Sequence, residues 1–333
     1  MDAESFISLT NWLSECPDYR KSSSRLYQWS QRRLRTSPPF SCAVLCGVLY
    51  LTGKSSIRPE SLLLRMPASS YYLLAQYVVE ELVARSHEVI SFPHKEEQVF
   101  MYMNVVDRPF PGALFAIDGT MVNLLYKGKD NSNFSRKGAA QLNVQILCDY
   151  RRNIVFLDSN YNGKAFDSIA FSHSPGWNMI QNSGMLREGG FVLADEGYAL
   201  DGRVIRPYDK RSTDPAHRLY RELHKSARLH IENAIADFKK RCPWLEKGMH
   251  AASPAKMTST ILAAAVVHQY ALFCEKRANG IPPNYLNQPF DIPQEFYNKR
   301  DYALRQEITK YFVRSYPQLY QSFVDNTYPQ GYI

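Results

Sequence analysis

The stretch ALFAIDGTMVNLL (residues 113–125) decides the fold class, because it is an apolar run interrupted by one carboxylate and a glycine. Three further β-rich runs follow: QLNVQILCDY (141–150), NIVFLDSNYNG (153–163) and FVLADEGYAL (191–200), with VIRPY (204–208) as a short fifth candidate. Runs of this kind between turn residues predict strands. Since the first three follow one another closely along the chain, they predict an antiparallel meander.

Helical patterns surround these strands. The stretch from Phe166 to Gln181 is predicted to cross over to the fourth strand as a helix or loop. A long helix is predicted roughly from Ala216 to Lys240, where apolar residues recur at helical spacing, and an Ala-rich buried helix from about Pro254 to Lys276. Strands interleaved with helices predict an α/β domain with a mixed five-stranded sheet flanked by helices.

The rest of the chain divides into two segments. Residues 1–105 are predicted to form a helical N-terminal domain, and the basic stretch RKSSSRLYQWSQRRLR (20–35) makes a DNA-binding helix-turn-helix one interpretation. A helical bundle packed on the α/β core is the interpretation that we favour, because no base-reading pattern stands out. The α/β domain is predicted over 106–278, and a helical or irregular tail over 279–333.

The charge of the chain indicates its class of partner. Forty Lys and Arg against 32 Asp and Glu give a formal net charge of +8. A basic balance favours a polyanionic partner, of which nucleic acid is the commonest, although charge for solubility is the alternative. No apolar run reaches about 18 residues, so no membrane-spanning helix is expected.

Two carboxylates occupy equivalent places in the predicted strands. Asp118 and Asp195 each follow an apolar run, and a Gly comes one or two residues later. A charge buried in such surroundings is costly without a partner. A turn is the alternative for Asp118, because Asp-Gly is a common turn pair.

A third carboxylate, Glu232, lies beside Ile231 on the predicted long helix, four residues after Arg228. It would either reach toward the two Asp from the sheet-facing edge or form a surface ion pair with Arg228. Carboxylate oxygens are the ligands of hard cations such as Mg²⁺ and Mn²⁺. Several carboxylates that converge on one spot would suit metal-dependent hydrolysis of a phosphodiester.

With these residues in place, the chain resembles the Harbinger/PIF superfamily of DDE transposases and its transposase-derived nucleases. The resemblance runs from about Ser61 to Phe273. It is carried by RMPASSYYLL, FAIDGT, RKGAAQLNVQILCD, AFDSIAFSHS, LADEGYAL, RPY, LHKSARLHIENAIADFKKRCPWL and ILAAAVVHQY, in this order. It implies an RNase H-like fold, with Asp118, Asp195 and Glu232 as catalytic residues and ligands of Mg²⁺ or Mn²⁺.

The resemblance also implies an activity and partners. Family members cut transposon-end DNA with a metal-activated water, join the freed 3′-hydroxyl to target DNA, and commonly work with a Myb-like DNA-binding protein. A homo-oligomer, most simply a dimer, and a nuclear location are expected. The chain departs from the family at Met121 and Phe166, where His is usual, and has Glu196 where Ser is usual. The alternative is a domesticated DNA- or chromatin-binding adaptor that no longer cuts.

Basic residues around the carboxylates are predicted to line a DNA path. Those predicted to contact DNA phosphates are Arg136, Lys137, Arg206, Lys210, Arg211 and Arg228. Such contacts would make binding strongly dependent on salt, and a solvated basic face is the alternative. Asp167 is an additional acidic candidate, although its position favours a role as the N-cap of a helix.

Overall fold

Five strands form the central sheet of the computed structural model, which describes residues 1–32, 37–53, 57–100, 103–105, 108–125, 141–181, 184–248, 253–278 and 291–327. A separate pair of short strands, β1 and β2, comes first in the chain. The strands are β1 (Met103–Val105), β2 (Arg108–Phe110), β3 (Ala113–Asn123), β4 (Gln141–Cys148), β5 (Ile154–Asn162), β6 (Phe191–Leu193) and β7 (Val204–Ile205).

The sheet has the order β5-β4-β3-β6-β7 and is mixed. Strands β3, β4 and β5 are antiparallel neighbours, so the predicted meander is confirmed. Strand β6 runs parallel to β3, and β7 parallel to β6. The connection from β5 to β6 contains two short helices, as the crossover prediction required.

Twelve α-helices are described around these strands. They are α1 (Ala3–Ser14), α2 (Arg25–Arg32), α3 (Phe40–Thr52), α4 (Ile57–Leu63), α5 (Ala68–Ala84), α6 (Asp167–Ser172), α7 (Pro175–Gln181), α8 (Pro215–Arg241), α9 (Trp244–Lys247), α10 (Pro254–Ala278), α11 (Asp301–Ser315) and α12 (Pro317–Val324). The predicted long helix and the predicted Ala-rich helix correspond to α8 and α10. The α/β class, with a mixed sheet and a helical N-terminal region, is therefore confirmed.

The two faces of the sheet carry different helices. Helices α8 and α10 pack on one face, where the larger apolar core includes Ile146, Ile231 and Phe238. Helices α6 and α7 cover the other face, where Phe171 and Tyr198 belong to a smaller core. Since side chains alternate between the faces of a strand, consecutive residues of β3 serve different cores.

The N-terminal helices pack on the α/β core through α10, which contacts α1, α3 and α5. A hydrogen bond from Trp244 Nε1 to the Leu51 carbonyl oxygen, 2.6 Å long, adds a polar tie. This arrangement is the packed helical bundle that we favoured, and a DNA-contacting role for the region stays a prediction. By length and composition alone, Ala255–Lys276 could cross a membrane, but 61% of its apolar window is buried inside the fold, as in a core helix.

The last helices of the chain also join the core. Helices α11 and α12 both pack against α8. Phe312 of α11 lies edge-on to Phe110 of β2, with ring centroids 4.7 Å apart. The pairing of β1 with β2 was not predicted, because strands of three residues are too short to show a period.

Candidate active site

Asp118 lies in the middle of β3, because the strand continues for five residues beyond it to Asn123. Its Cα is opposite that of Ile146 on β4, so the alternative that Asp118 belongs to a turn is wrong. The side chain is 21% exposed. Its Oδ1 accepts a hydrogen bond from the Gly119 backbone N–H at 2.9 Å, which leaves Oδ2 for a charged partner.

Asp195 reaches the same end of the sheet by a different route. It comes two residues after β6, whose Leu193 is in parallel register with Ala116 of β3. Strands β3 and β6 are therefore neighbours just where the two Asp occur. Asp195 Oδ1 accepts a hydrogen bond from the Gly197 N–H at 2.8 Å, which fixes the turn that follows the strand.

Glu232 is linked to Asp118 through an arginine. Arg228 Nη2 lies 2.9 Å from Asp118 Oδ2, and Arg228 Nη1 lies 3.8 Å from Glu232 Oε1. The predicted Arg–Glu pair therefore exists, but it is not a surface pair, because the Arg228 side chain is only 13% exposed. Glu232 itself is half exposed, with an accessible fraction of 49%.

The electrostatics of Asp118 are those of a site short of positive charge. Burial, the largest cause, raises the pKa of the Asp118 carboxyl to about 6, and the negative charges of Asp195 and Asp167 act in the same direction. Arg228 and the Gly119 N–H lower this pKa but do not offset the rise. A carboxylate that is desolvated and surrounded by like charges gains from any added cation.

The sequence of this region is similar to a known protein family. Residues 117–269 match the model of the DDE superfamily endonuclease, a segment that includes all three carboxylates. This part of the chain is therefore similar to the DDE superfamily endonuclease domain. The resemblance to Harbinger-type transposases and the nucleases derived from them is thereby confirmed.

Curated relatives agree with the DDE assignment. The chain is 26% identical over 251 residues to "Putative nuclease HARBI1" of Rattus norvegicus, which covers 73% of this chain and 70% of the relative. The proteins of the same name from Homo sapiens and Mus musculus are also 26% identical, and cover 73% and 84% of this chain and 70% and 81% of their own length. No solved structure matches the chain.

The donor atoms of the DDE domain fit a divalent cation by their chemistry. DDE superfamily endonucleases generally use divalent metals, and Asp118, Asp195 and Glu232 offer the oxygen ligands that Mg²⁺ and Mn²⁺ prefer. In the arrangement that the described residues adopt, no three acidic, His or Cys side chains are already grouped to hold an ion. Arg228 is the cation that bridges Asp118 and Glu232 in this arrangement.

The basic residues predicted to contact DNA lie in different places. Arg136 and Lys137 are outside the described residues. Lys210 and Arg211 are exposed in the segment that follows β7, and Lys210 Nζ lies 3.9 Å from Glu196, the residue after Asp195. Both cations are accessible, and Lys210 lies beside the turn that carries Asp195.

The other two predicted DNA contacts are engaged within the protein. Arg206 donates hydrogen bonds from Nη1 to the carbonyl oxygens of Glu196 and Tyr198, at 3.4 and 3.3 Å, and so supports the turn after Asp195. Arg228 has its guanidinium on Asp118. DNA contact by either arginine stays a prediction.

The prediction that Asp167 is a helix N-cap is wrong. Phe166 occupies the N-cap position of α6, and no side chain caps that helix. The carboxylate of Asp167 turns away from the helix backbone, because its Oδ1 accepts hydrogen bonds from Asn143 Nδ2 at 2.9 Å and Gln145 Nε2 at 3.0 Å. Two side-chain amides on β4 therefore take the place of the backbone N–H groups.

Sequence reasoning missed Asn143, Gln145 and Tyr198, which are all buried beside the site. The signal was present in QLNVQILC, where two amides occupy alternate positions in an otherwise apolar strand. Residues at alternate positions share one face of a strand. Buried polar groups need partners, so this pair predicts a polar feature on that face.

We expect Arg228→Met to lower the free energy of unfolding in the absence of divalent metal by about 1–3 kcal/mol. Breaking a fully buried ion pair costs about 3–5 kcal/mol, and both partners here keep some exposure. Chemical denaturation with urea measures the change. The matched control is Arg152→Met, which breaks an exposed pair with Asp237 of the same helix and should cost less than about 1 kcal/mol.

Addition of MnCl₂ gives a second measurement on the Arg228 variant. Because Asp118 then lacks its protein cation, Mn²⁺ should raise the melting temperature of Arg228→Met more than that of the wild type. Equal stability of variant and wild type without metal, with equal responses to Mn²⁺, would mean that Arg228 does not neutralise Asp118.

Proposed function

We propose that this chain is a metal-dependent DNA endonuclease, in which Asp118, Asp195 and Glu232 hold Mg²⁺ or Mn²⁺. One observation carries the proposal: a mostly buried carboxylate in the middle of the sheet, Asp118, lies at the end of β6 beside Asp195 and is joined by Arg228 to Glu232. The match of residues 117–269 to the DDE superfamily endonuclease and the name of the curated relatives support the same activity.

The residues of the chain have separate roles in this proposal. Asp118 is held by the sheet, Asp195 by the turn that Gly197 closes, and Glu232 by a 27-residue helix, so the three ligands rest on rigid elements. When bound, the metal supplies an activated water and stabilises charge on the leaving oxygen. Arg228, released from Asp118, would remain beside the site to contact a phosphate oxygen.

DNA would approach over the segment after β7. Lys210 and Arg211 are exposed there, and the net charge of +8 favours a polyanionic substrate. Phosphate contacts of this kind position DNA without reading its sequence. The choice of DNA would then depend on other parts of the chain or on a partner.

We extend the proposal to transposition on the strength of the family resemblance. In this form the enzyme cuts transposon-end DNA and joins the 3′-hydroxyl ends to target DNA. It would do so as a homodimer in the nucleus with a Myb-like DNA-binding partner. Cleavage rests on the carboxylates themselves, whereas strand transfer, the partner and the location rest on the resemblance alone.

A DNA- or chromatin-binding adaptor is the second candidate, and two observations favour it. Arg228 already supplies Asp118 with a cation from within the protein. Met121 and Phe166 replace the His residues that are usual in the family, and Phe166 is 55% exposed beside Asp167. An adaptor would keep the basic surface and bind DNA without a metal.

Calorimetric titration with MnCl₂ separates the two functions. We expect the wild type to bind Mn²⁺ and Asp118→Asn to bind it at least about tenfold more weakly, because an amide supplies no charge to a hard cation. The wild type should also nick supercoiled plasmid DNA in MnCl₂ and stop when EDTA is added. A wild type that binds no Mn²⁺, and binds plasmid equally well with EDTA, would contradict the endonuclease and support the adaptor.

A further inference from the structure

A pocket of about 390 Å³ opens beside the turn that carries Asp195. It is lined by Glu196, the residue after Asp195, by Arg206, which follows β7, and by Tyr302 and Arg305 of α11. This volume lies within the range of about 300–1,000 Å³ that is typical of ligand sites. A helix near the end of the chain thus shares a pocket with the turn that follows the second carboxylate.

Helix α11 is fixed in this place by its first residue. Asp301 donates its backbone N–H to the Gly202 carbonyl oxygen at 2.9 Å, and its Oδ1 accepts a hydrogen bond from the Gly202 N–H. Gly202 lies in the turn between β6 and β7, so the start of α11 is tied to the sheet. Tyr302 and Arg305 are three residues apart on α11 and therefore share one face of the helix.

Arg305 is a buried cation without a counter-ion. It is 8% exposed, and its Nη1 donates to the Pro207 carbonyl oxygen at 3.1 Å. In the part of the chain that the structure describes, its Nε is buried without a hydrogen-bond partner and its guanidinium forms no ion pair. A buried charge is costly unless an anion joins it. Arg305 therefore gains from any anion that enters the pocket.

Aromatic packing holds the Arg305 guanidinium in position. Its Cζ lies 4.0 Å from the ring centroid of Tyr208, and the His217 ring stacks on Tyr208 with centroids 3.7 Å apart. Since each face of a ring accommodates one such neighbour, the guanidinium and the imidazole lie on opposite faces of Tyr208. The Tyr208 hydroxyl is hydrogen-bonded to Thr309 at 3.0 Å. Because the cation is already ordered, an anion that binds it avoids the cost of ordering it.

Two carboxylates also line the pocket, and their charges oppose an anion. Glu196 and Asp209 are both exposed, and Glu196 Oε1 lies 3.9 Å from Lys210 Nζ. Exposed charges are screened by water and salt, whereas a buried charge is screened much less. The buried charge of Arg305 therefore outweighs them and favours an anionic ligand.

Tyr302 adds an aromatic face beside this cation. It is 52% exposed, and its ring centroid lies 5.2 Å from Arg305 Cζ. Proteins bind single-stranded nucleic acid by placing cations on the phosphates and aromatic rings on the bases. A base stacked within a duplex has no free face to offer. The pocket therefore suits an unpaired nucleotide, and Glu196 places it next to the carboxylate Asp195.

We propose that this pocket binds one unpaired nucleotide of the DNA substrate, with a phosphate oxygen on Arg305 and the base on Tyr302. The inference deepens the proposed function and rests on it for DNA as the ligand. The competing explanation is structural: Arg305 would only tie α11 to Tyr208 and Pro207. The two explanations separate because a purely structural arginine leaves the salt dependence of DNA binding unchanged.

Fluorescence anisotropy with a labelled single-stranded DNA of about ten nucleotides, in EDTA and at several salt concentrations, tests the proposal. We expect Arg305→Met to weaken binding by at least about tenfold. It should also reduce the slope of log K against log salt by about 0.7, the share of one phosphate contact on a single strand. The control Arg314→Met removes the same charge from an exposed position of the same helix and should keep the wild-type affinity and slope.

The base contact is tested with the same oligonucleotide. Tyr302→Ala should weaken binding by about tenfold without changing the salt slope, because stacking is not an ionic contact. Tyr302→Phe keeps the ring and should bind as tightly as the wild type. Tyr302 is exposed, so neither change disturbs the core.

Wild-type affinity in folded Tyr302→Ala, or wild-type affinity and slope in folded Arg305→Met, would overturn the proposal. Should Arg305→Met not fold, Arg305→Gln removes the same charge and is judged in the same way. Because EDTA removes divalent metal, these results are independent of the carboxylates. Failure of the pocket variants to lose affinity would leave Mn²⁺ binding and the endonuclease standing. A wild type that binds no Mn²⁺, with the expected losses in the pocket variants, would overturn the endonuclease and leave the nucleotide pocket.

Discussion

Asp118→Asn, Asp195→Asn and Glu232→Gln are each expected to lower the rate of DNA cleavage in MnCl₂ by at least about a thousandfold. Each change removes one anionic ligand, and loss of residues that merely support ligands already costs about 10–100-fold in metal affinity or activity. The amides have almost the volume of the acids that they replace. The loss therefore comes from charge rather than from a cavity.

Initial rates of plasmid nicking, with circular dichroism to establish that each variant is folded, measure this effect. Asp237→Asn is the control for Glu232, because it removes a carboxylate from the same helix at a half-exposed position that pairs with Arg152. It should nick DNA at the wild-type rate. A folded Asp118, Asp195 or Glu232 variant that retains wild-type activity would remove that residue from the active site.

The strands that carry the site could be predicted because their patterns are local. Residues 113–125 hold an apolar run long enough to predict a strand, and the Ala-rich run of α10 predicts a buried helix in the same way. Such patterns arise because one face of an element, or the whole element, is buried. The apolar residues that reflect this burial lie within a few positions of one another.

The contact between Arg228 and Asp118 could not be predicted from those patterns. The two residues are 110 positions apart, and their pairing depends on how α8 crosses β3. The sequence offered Glu232 as the partner of Arg228, because only the i,i+4 neighbour is visible locally. In the fold the closer partner is Asp118, since a mostly buried carboxylate attracts the cation more strongly than an exposed one.

The N-cap prediction for Asp167 failed because it considered only neighbouring residues of the sequence. The partners of Asp167 in the fold are distant in sequence. An Asp at the start of a helix usually caps it. Here the amides of Asn143 and Gln145 on β4 take the carboxylate, and α6 begins without a side-chain cap. Residues that break a local rule in this manner concentrate at functional sites.

Phe110→Ala is expected to lower the free energy of unfolding by about 3–5 kcal/mol, the cost of removing a large aromatic side chain from a packed core. Phe110 is fully buried, and its ring centroid lies 4.7 Å from that of Phe312, 6.0 Å from Phe191 and 6.1 Å from Tyr220. The residue therefore connects α11 with β6 and α8. Strand β6 leads to Asp195, and α8 carries Glu232.

Urea denaturation followed by tryptophan fluorescence measures this loss, and Phe273→Ala is the matched control, because it removes the same side chain from a position that is 62% exposed. The control should change the free energy of unfolding by less than about 1 kcal/mol. Equal losses in the two variants would mean that Phe110 does not anchor the core. A large loss of unfolding free energy in Phe110→Ala alone would mean that α11 stabilises β6 and α8, which position Asp195 and Glu232. The substitution opens a cavity between α11 and these two elements.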